Sequence, residues 1–267
     1  MSLAERYGAR IAEWVRDWPR PVEASHLLRV LRFLAQWRSR MLANTYVARQ
    51  GTRIWSGLFE GMDYVAEAAE GALIPRLLGV YEAELQPHLR AFLAEGPEVI
   101  VDVGCAEGYY AVGLARAAPG VVVHAHDIDP RAREACAVLA ARNGVADRVK
   151  VGGEFRPTDF EAFAGRRTLV IVDAEGAELD VLQPELSPAL AGMSLVVETH
   201  DVYRPGALAT MIARFEPTHE ITVVRQGSRV VDPPPWMDGL NELDRLLALW
   251  EWRIQPTPWL VMRPRAG

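Results

Sequence analysis

Val-Ile-Val-Asp-Val-Gly-Cys-Ala-Glu-Gly-Tyr-Tyr-Ala-Val-Gly, residues 99–113, decides the architecture. An apolar, β-branched run ends in Asp102. A turn of small residues follows at Gly104, Ala106 and Gly108, and helical apolar spacing begins after it. This is the pattern of a buried parallel strand turning into a helix around a ligand. Glycines at 104 and 108 predict a ligand lying close to the backbone, where a larger side chain would obstruct it. The acid before the turn predicts a ligand that brings positive charge or hydroxyl and amine donors.

Reading outward, apolar runs recur at 99–103, 121–125, 149–151, 169–172, 195–197, 221–224 and 259–262. Helical segments fill most gaps, at 109–118, 131–143, 178–182, 206–215 and 240–250. Strands that alternate with helices and are almost wholly apolar predict a seven-stranded, mostly parallel sheet covered on both faces. A long insertion containing Pro233, Pro234 and Pro235 separates the last two strands, so an antiparallel pairing fits there. Upstream, Leu27, Val30, Leu31, Leu34 and Trp37 fall at helical spacing. An earlier helix is expected at 4–17 and a later one at 74–94, kinked or split by Pro87. The expected organisation is an N-terminal helical region, 1–90, and an α/β domain, 91–267.

Half of the 267 residues are hydrophobic, enough for a substantial core. Two cysteines, Cys105 and Cys136, make no disulfide framework and point to a reducing, cytoplasmic setting. No apolar run is long enough to span a membrane. The net charge of −6 argues against a general nucleic-acid binder. Charge is uneven: residues 1–58 hold ten Arg against four acids, leaving about −12 on the rest. The favoured account is that Arg lines the solvated faces of amphipathic helices.

Ligands in such sheets sit beyond the carboxyl ends of the strands. The first end offers Asp102, Gly104, Ala106, Glu107 and Gly108. The second offers Asp127 and Ile128, with Asp129 as a rival, about twenty residues on, where an acid accepts both hydroxyls of a ribose. The third offers Glu154 and Phe155, the latter suited to a purine. The fourth gives Asp173, Glu175 and Glu178, and the fifth Glu198 and His200. A nicotinamide-binding turn needs glycine at 106 and 109, where this chain has Ala106 and Tyr109.

The small residues at 104, 106 and 108, with an acid two places before the first, resemble the first motif of class I S-adenosylmethionine-dependent methyltransferases. Asp173-Ala-Glu-Gly-Ala-Glu-Leu-Asp-Val-Leu182 resembles the D-x-E-G-A-E-x-x-V-L signature of the FkbM-type members of that group. Gly57-Leu-Phe-Glu-Gly-Met62 and Leu78-Gly-Val-Tyr-Glu82 are similar to the lead-in of some relatives. Residues 1–50 lie outside the resemblance, and Ala106 departs from glycine. The resemblance implies a Rossmann-like fold, S-adenosyl-L-methionine as cofactor, and O-methylation of a small metabolite, sugar or natural product. Asp102, Gly104, Ala106, Glu107, Gly108, Asp127, Ile128, Glu154, Phe155 and Asp173 are then the expected cofactor residues.

Transfer to an oxygen calls for a base or a metal near the methyl group. His200 is the expected base, with Glu198 orienting it or binding the acceptor. A histidine at a strand end is more often structural, and Glu175 and Glu178 have capping as their default role. A divalent cation on Asp173, Glu198 and His200 is conceivable, but no compact metal motif is present and none is expected. The helical region is expected to cover the acceptor pocket, mediate homodimerisation, or both. Two alternatives remain: an RNA or protein acceptor recruited by the Arg-rich N-terminus, and a non-catalytic binding module.

Overall fold

A computed structural model describes residues 2–66 and 71–265. The strands are β1 (Val99–Val103), β2 (Val122–His126), β3 (Val149–Gly152), β4 (Thr168–Val172), β5 (Ser194–Glu198), β6 (His219–Val224) and β7 (Trp259–Pro264). They form one sheet in the order β3-β2-β1-β4-β5-β7-β6. The first five are parallel, and β7 runs antiparallel to both β5 and β6. The expected sheet is therefore present, with the long insertion reversing the chain before β7.

Register brings the strand ends to one rim. Val103 pairs with both His126 and Val172, His126 with Gly152, and Val172 with Val197. Successive strand residues face opposite layers. Ile100, Leu169, Ile171 and Val196 belong to one apolar cluster. Val101, Val170, Val172, Leu195 and Val197 belong to the other. Their burial on both sides explains the unbroken apolar runs.

Helices α1 (Leu3–Arg16) and α2 (Ala24–Gln50) precede the sheet. Ser2 and Glu5 cap α1 reciprocally, and the Tyr7 and Phe33 rings stack at 4.1 Å to hold α1 on α2. The second half of α2 buries Leu42, Ala43 and Tyr46 in the cluster that contains Ile100. Its first half leaves Leu27, Leu28 and Leu31 exposed.

The helix expected at 74–94, kinked or split by Pro87, is two: α3 (Leu73–Leu78) and α4 (Gln86–Ala94). Gly79 stops α3 in a left-handed conformation, and Glu82 also has positive φ. Pro87 lies in the first turn of α4, where its missing N–H costs nothing, so it starts a helix and does not kink one. The remaining helices are α5 (Tyr109–Ala117), α6 (Pro130–Arg142), α7 (Glu178–Val181), α8 (Ala207–Phe215) and α9 (Glu242–Leu249).

Candidate active site

A cavity of about 850 Å³ opens at the carboxyl rim of the sheet. That is within the range of roughly 300–1,000 Å³ typical of small-molecule sites. Of the residues singled out from the sequence, Gly104, Ala106, Asp127, Ile128, Glu154, Phe155, Asp173, Glu198 and His200 line it. Asp129 and Glu175, weighed as a rival acid and a cap, line it as well, whereas Asp102, Glu107 and Gly108, expected at the cofactor, do not.

Each of the three exceptions has a packing reason. Asp102 is 2% exposed and accepts the Ala111 N–H of α5. Burial, with a contribution from Asp127, pushes its carboxyl up to about 7. Glu107 turns to the interior and accepts the Tyr64 hydroxyl. A Cβ on Gly108 would lie 2.9 Å from Cys136 Sγ, so this glycine serves the contact between α5 and α6. Gly104 lines the cavity, but a ligand is not what demands it. With φ at +85°, its added Cβ would stand 1.7 Å from the Asp173 carbonyl oxygen. The turn after β1 is pressed onto the turn after β4.

Asp127 closes the second strand end. Its Oδ2 accepts the Ala106 N–H at 3.0 Å and its Oδ1 the Asp129 N–H at 2.8 Å. A carboxylate has about four acceptor positions, so two remain. Asp129 also lines the cavity and caps α6 through the Arg131 N–H at 2.9 Å, so both acids stand at this strand end. Phe155 packs edge-on against His126 and Phe160. Ile128 is exposed on the opposite lip.

The fourth and fifth strand ends form an acidic corner. His200 is 3% exposed and its Nδ1 lies 2.6 Å from Glu178 Oε1. Glu178 also accepts the Gly176 N–H at 3.0 Å. His200 Nε2 stands 3.5 Å from Glu198, 3.6 Å from Glu175 and 3.7 Å from Asp173. Burial pulls the imidazole's pKa down, but the Glu178 hydrogen bond and the surrounding carboxylates outweigh it, so the net shift is upward. Burial, reinforced by Glu198, holds the Asp173 carboxyl well above its usual range.

Glu198 is therefore not the residue that orients His200. Its Oε1 accepts the Thr257 hydroxyl at 2.6 Å and an Arg253 N–H. Arg253 also meets Glu82 and Glu251, and Arg229 meets Glu251 at 2.7 Å. Burial and the Glu198 charge push Glu82 up to about 8 against the opposing Arg253. From the sequence Glu178 reads as a helix cap and Trp252 as core or lid packing; Arg253 and Tyr203 were missed as site residues. An i, i+3 offset from Glu175 to Glu178 was the available signal for Glu178. Nothing near 250–255 marks Arg253.

Helix α2 touches the cavity wall from behind. Arg32 donates to the Trp252 and Arg253 carbonyls, and Arg40 lies 5.0 Å over the Trp252 ring. Arg29 sits over Trp14, Arg38 clamps Asp244 at 2.6 Å, and Arg49 sits over Trp236. These arginines of α2 are engaged inside the chain.

No family model matches the chain. A 92-residue stretch is 39% identical to ribosomal protein L11 methyltransferase of Pelotomaculum thermopropionicum. That match covers 34% of this chain and 29% of the relative, well under two thirds of its length. Among solved structures, the chain is similar to the O-methyltransferase TomG from Streptomyces achromogenes, with TM-score 0.45 and 17% identity over 68% of this chain and 81% of that one. It is similar to an rRNA methylase from Streptococcus thermophilus, with TM-score 0.45 and 12% identity over 68% and 97%. It is also similar to human methyltransferase 10 domain containing protein, with TM-score 0.49 and 12% identity over 85% and 96%.

Proposed function

We propose that this chain is an S-adenosylmethionine-dependent methyltransferase that methylates a hydroxyl of a small molecule, and that it is FkbM-like. One observation carries the reading. Asp127 at the end of β2 and the acidic corner at the ends of β4 and β5 border the same cavity, at the topological switch between β1 and β4.

The residues present suit the cofactor. Asp127 keeps acceptor positions for ribose hydroxyls, and Ile128 and Phe155 flank a slot for the base. The backbone turn at Gly104 and Ala106 would take the amino-acid end. Acidic walls favour a ligand that carries both a sulfonium and an amine. The cofactor supplies a methyl group on a positively charged sulfur; the protein supplies position and electrostatics.

Methyl transfer to a hydroxyl leaves one proton to remove. His200 is suited to hold or move it, because Glu178 fixes the ring and leaves Nε2 toward the cavity. Glu198 acts through Arg253, as a positioning residue. The segment 251–255, braced by α2, lids the acceptor, and the exposed leucines of α2 supply a surface for a homodimer. Two buried, free cysteines support a reducing, cytoplasmic setting. No helix of the described residues is long and apolar enough to cross a membrane.

An RNA or protein acceptor gathered by the N-terminal arginines is less well supported, since Arg29, Arg32, Arg38, Arg40 and Arg49 already have partners in the chain. Calorimetry with S-adenosylmethionine and S-adenosylhomocysteine tests the cofactor. Binding of neither removes the basis of the proposal. Labelled-methyl transfer across a metabolite library, with mass spectrometry of products, then separates an enzyme from a binding module and names the acceptor.

A further inference from the structure

We propose that Asp173, Glu175 and His200 form a divalent-cation site at the end of the cavity. One ligand atom from each of the three lies within 4.8 Å of the other two. The pairs that include His200 Nε2 are 3.6 and 3.7 Å apart. Ligands that share a small cation at about 2.0–2.2 Å stand about 3 Å from one another, so a shift of less than about 1 Å closes each of the two pairs that include His200.

The cluster of acids would not carry this alone. Two further observations point to a ligand. Asp173 Oδ1 is buried and makes no hydrogen bond among the described residues. The His200 side chain is 4% exposed, and its Nε2 faces the carboxylates at charge-contact distances, too long for good hydrogen bonds. Its Nδ1 is engaged by Glu178, the arrangement that fixes the tautomer of a metal-binding imidazole and presents Nε2 as a lone pair. Glu178 is itself buried and held by the Gly176 N–H.

Glu198, an acid considered from the sequence, has Oε2 3.5 Å from His200 Nε2 but is tied through Oε1 to Arg253 and Thr257, and the three residues whose ligand atoms all lie within 4.8 Å of one another do not include it. Glu175 takes its place. One imidazole with two carboxylates suits Mn²⁺ and its first-row neighbours, with further positions open to water and to an acceptor oxygen. The catalytic consequence rests on the methyl-transfer reading; ion binding does not. With a cation bound, Nε2 would be a ligand, and the positive charge would lower the pKa of the acceptor hydroxyl so that its proton passes to solvent water at the open mouth of the cavity.

The test uses the full-length, chelator-stripped protein and Mn²⁺ alone, followed by calorimetry and electron paramagnetic resonance. One equivalent should bind. Asp173→Asn and His200→Ala should weaken it at least about tenfold, and Glu178→Gln by about tenfold or more. Surface Glu216→Gln should leave it unchanged. If a variant fails to fold, pulsed resonance on wild type replaces it, and a ¹⁴N coupling from one imidazole is expected. Absence of saturable binding, or bound Mn²⁺ without nitrogen coupling, overturns the site. S-adenosylhomocysteine binding, measured separately, shows whether the cofactor reading stands or falls on its own. Turnover that survives chelation would return the proton to His200 as a base and sink the catalytic role of the ion.

Discussion

Glu178, the first residue of α7, holds the Nδ1 of His200 at 2.6 Å from across the gap between two strand ends. The pair is 22 residues apart in sequence and both members are buried. Glu178→Gln keeps the size and an acceptor oxygen but removes the charge. Turnover should fall about 10- to 100-fold while S-adenosylhomocysteine affinity stays within roughly twofold. Steady-state kinetics beside calorimetry check this. Equal losses in both would mean that Glu178 only holds the loop together.

Asp127 is the expected ribose contact. A hydrogen bond to a charged acceptor contributes about 1.5–3 kcal/mol, so Asp127→Asn should weaken S-adenosylhomocysteine roughly 10- to 100-fold. The Ala106 and Asp129 N–H bonds can be kept in part by the amide oxygen, so the melting temperature should move little. Unchanged affinity would take Asp127 out of the site.

Asp102 makes stability depend on pH. Its carboxyl is raised from 3.8 to about 7 in the folded protein. Between those values the folded state holds a proton that the unfolded chain releases. Stability therefore falls as pH climbs through that window, and the full penalty, up to about 4 kcal/mol, is present above it. Asp102→Asn should remove this dependence. Urea midpoints at pH 5 and pH 8 should draw together in the variant, which gains on wild type at the higher pH. Parallel curves would assign the pH response to another group.

Ala106 has φ at +45°, in the left-handed region. A Cβ there costs about 1–2 kcal/mol, and glycine returns about 0.4–1 kcal/mol of that through the unfolded chain. Ala106→Gly should thus range from neutral to about 1 kcal/mol stabilising, by thermal or urea unfolding. A clear loss of stability would show that the methyl group has a packing role of its own.

Arg253 meets Glu82, Glu198 and Glu251 beneath the cavity. Arg253→Met leaves these buried carboxylates without their shared cation, and a cost of about 3–5 kcal/mol follows. Because their protonation relieves the repulsion, the variant should lose least at low pH. Unfolding curves at pH 5 and pH 8 test both statements.

Much of the fold was legible because both faces of the sheet are covered. That burial imposes continuous apolar strands, and residues 99–103 were bounded correctly from them. A break in 74–94 was expected at Pro87, but its true place was not legible, since it depends on positive φ at Gly79 and Glu82 set by tertiary contacts. Asp127, Phe155 and His200 reached the cavity because strand ends share a rim by register. Asp102 did not, because it lies within β1 on the face of Ile100, against α5; Glu107 did not, because the tight turn sends its side chain to the interior. Glu178 was read as a helix cap, a local role, and its bond to His200 is long-range. Arg253 reaches the site through a loop with no repeating pattern at all.

Gly104 and the Asp173 carbonyl meet backbone to backbone, with no room for even a methyl group between them. The seam between the two halves of the cavity is made here by backbone alone, so any residue but glycine at 104 would force it apart whatever side chain stands at 173. A bulkier or slimmer acceptor must then be accommodated at the outer wall, by Tyr203, Trp252 and Ile254. Divergence in specificity would leave its record there, while glycine would be retained at 104.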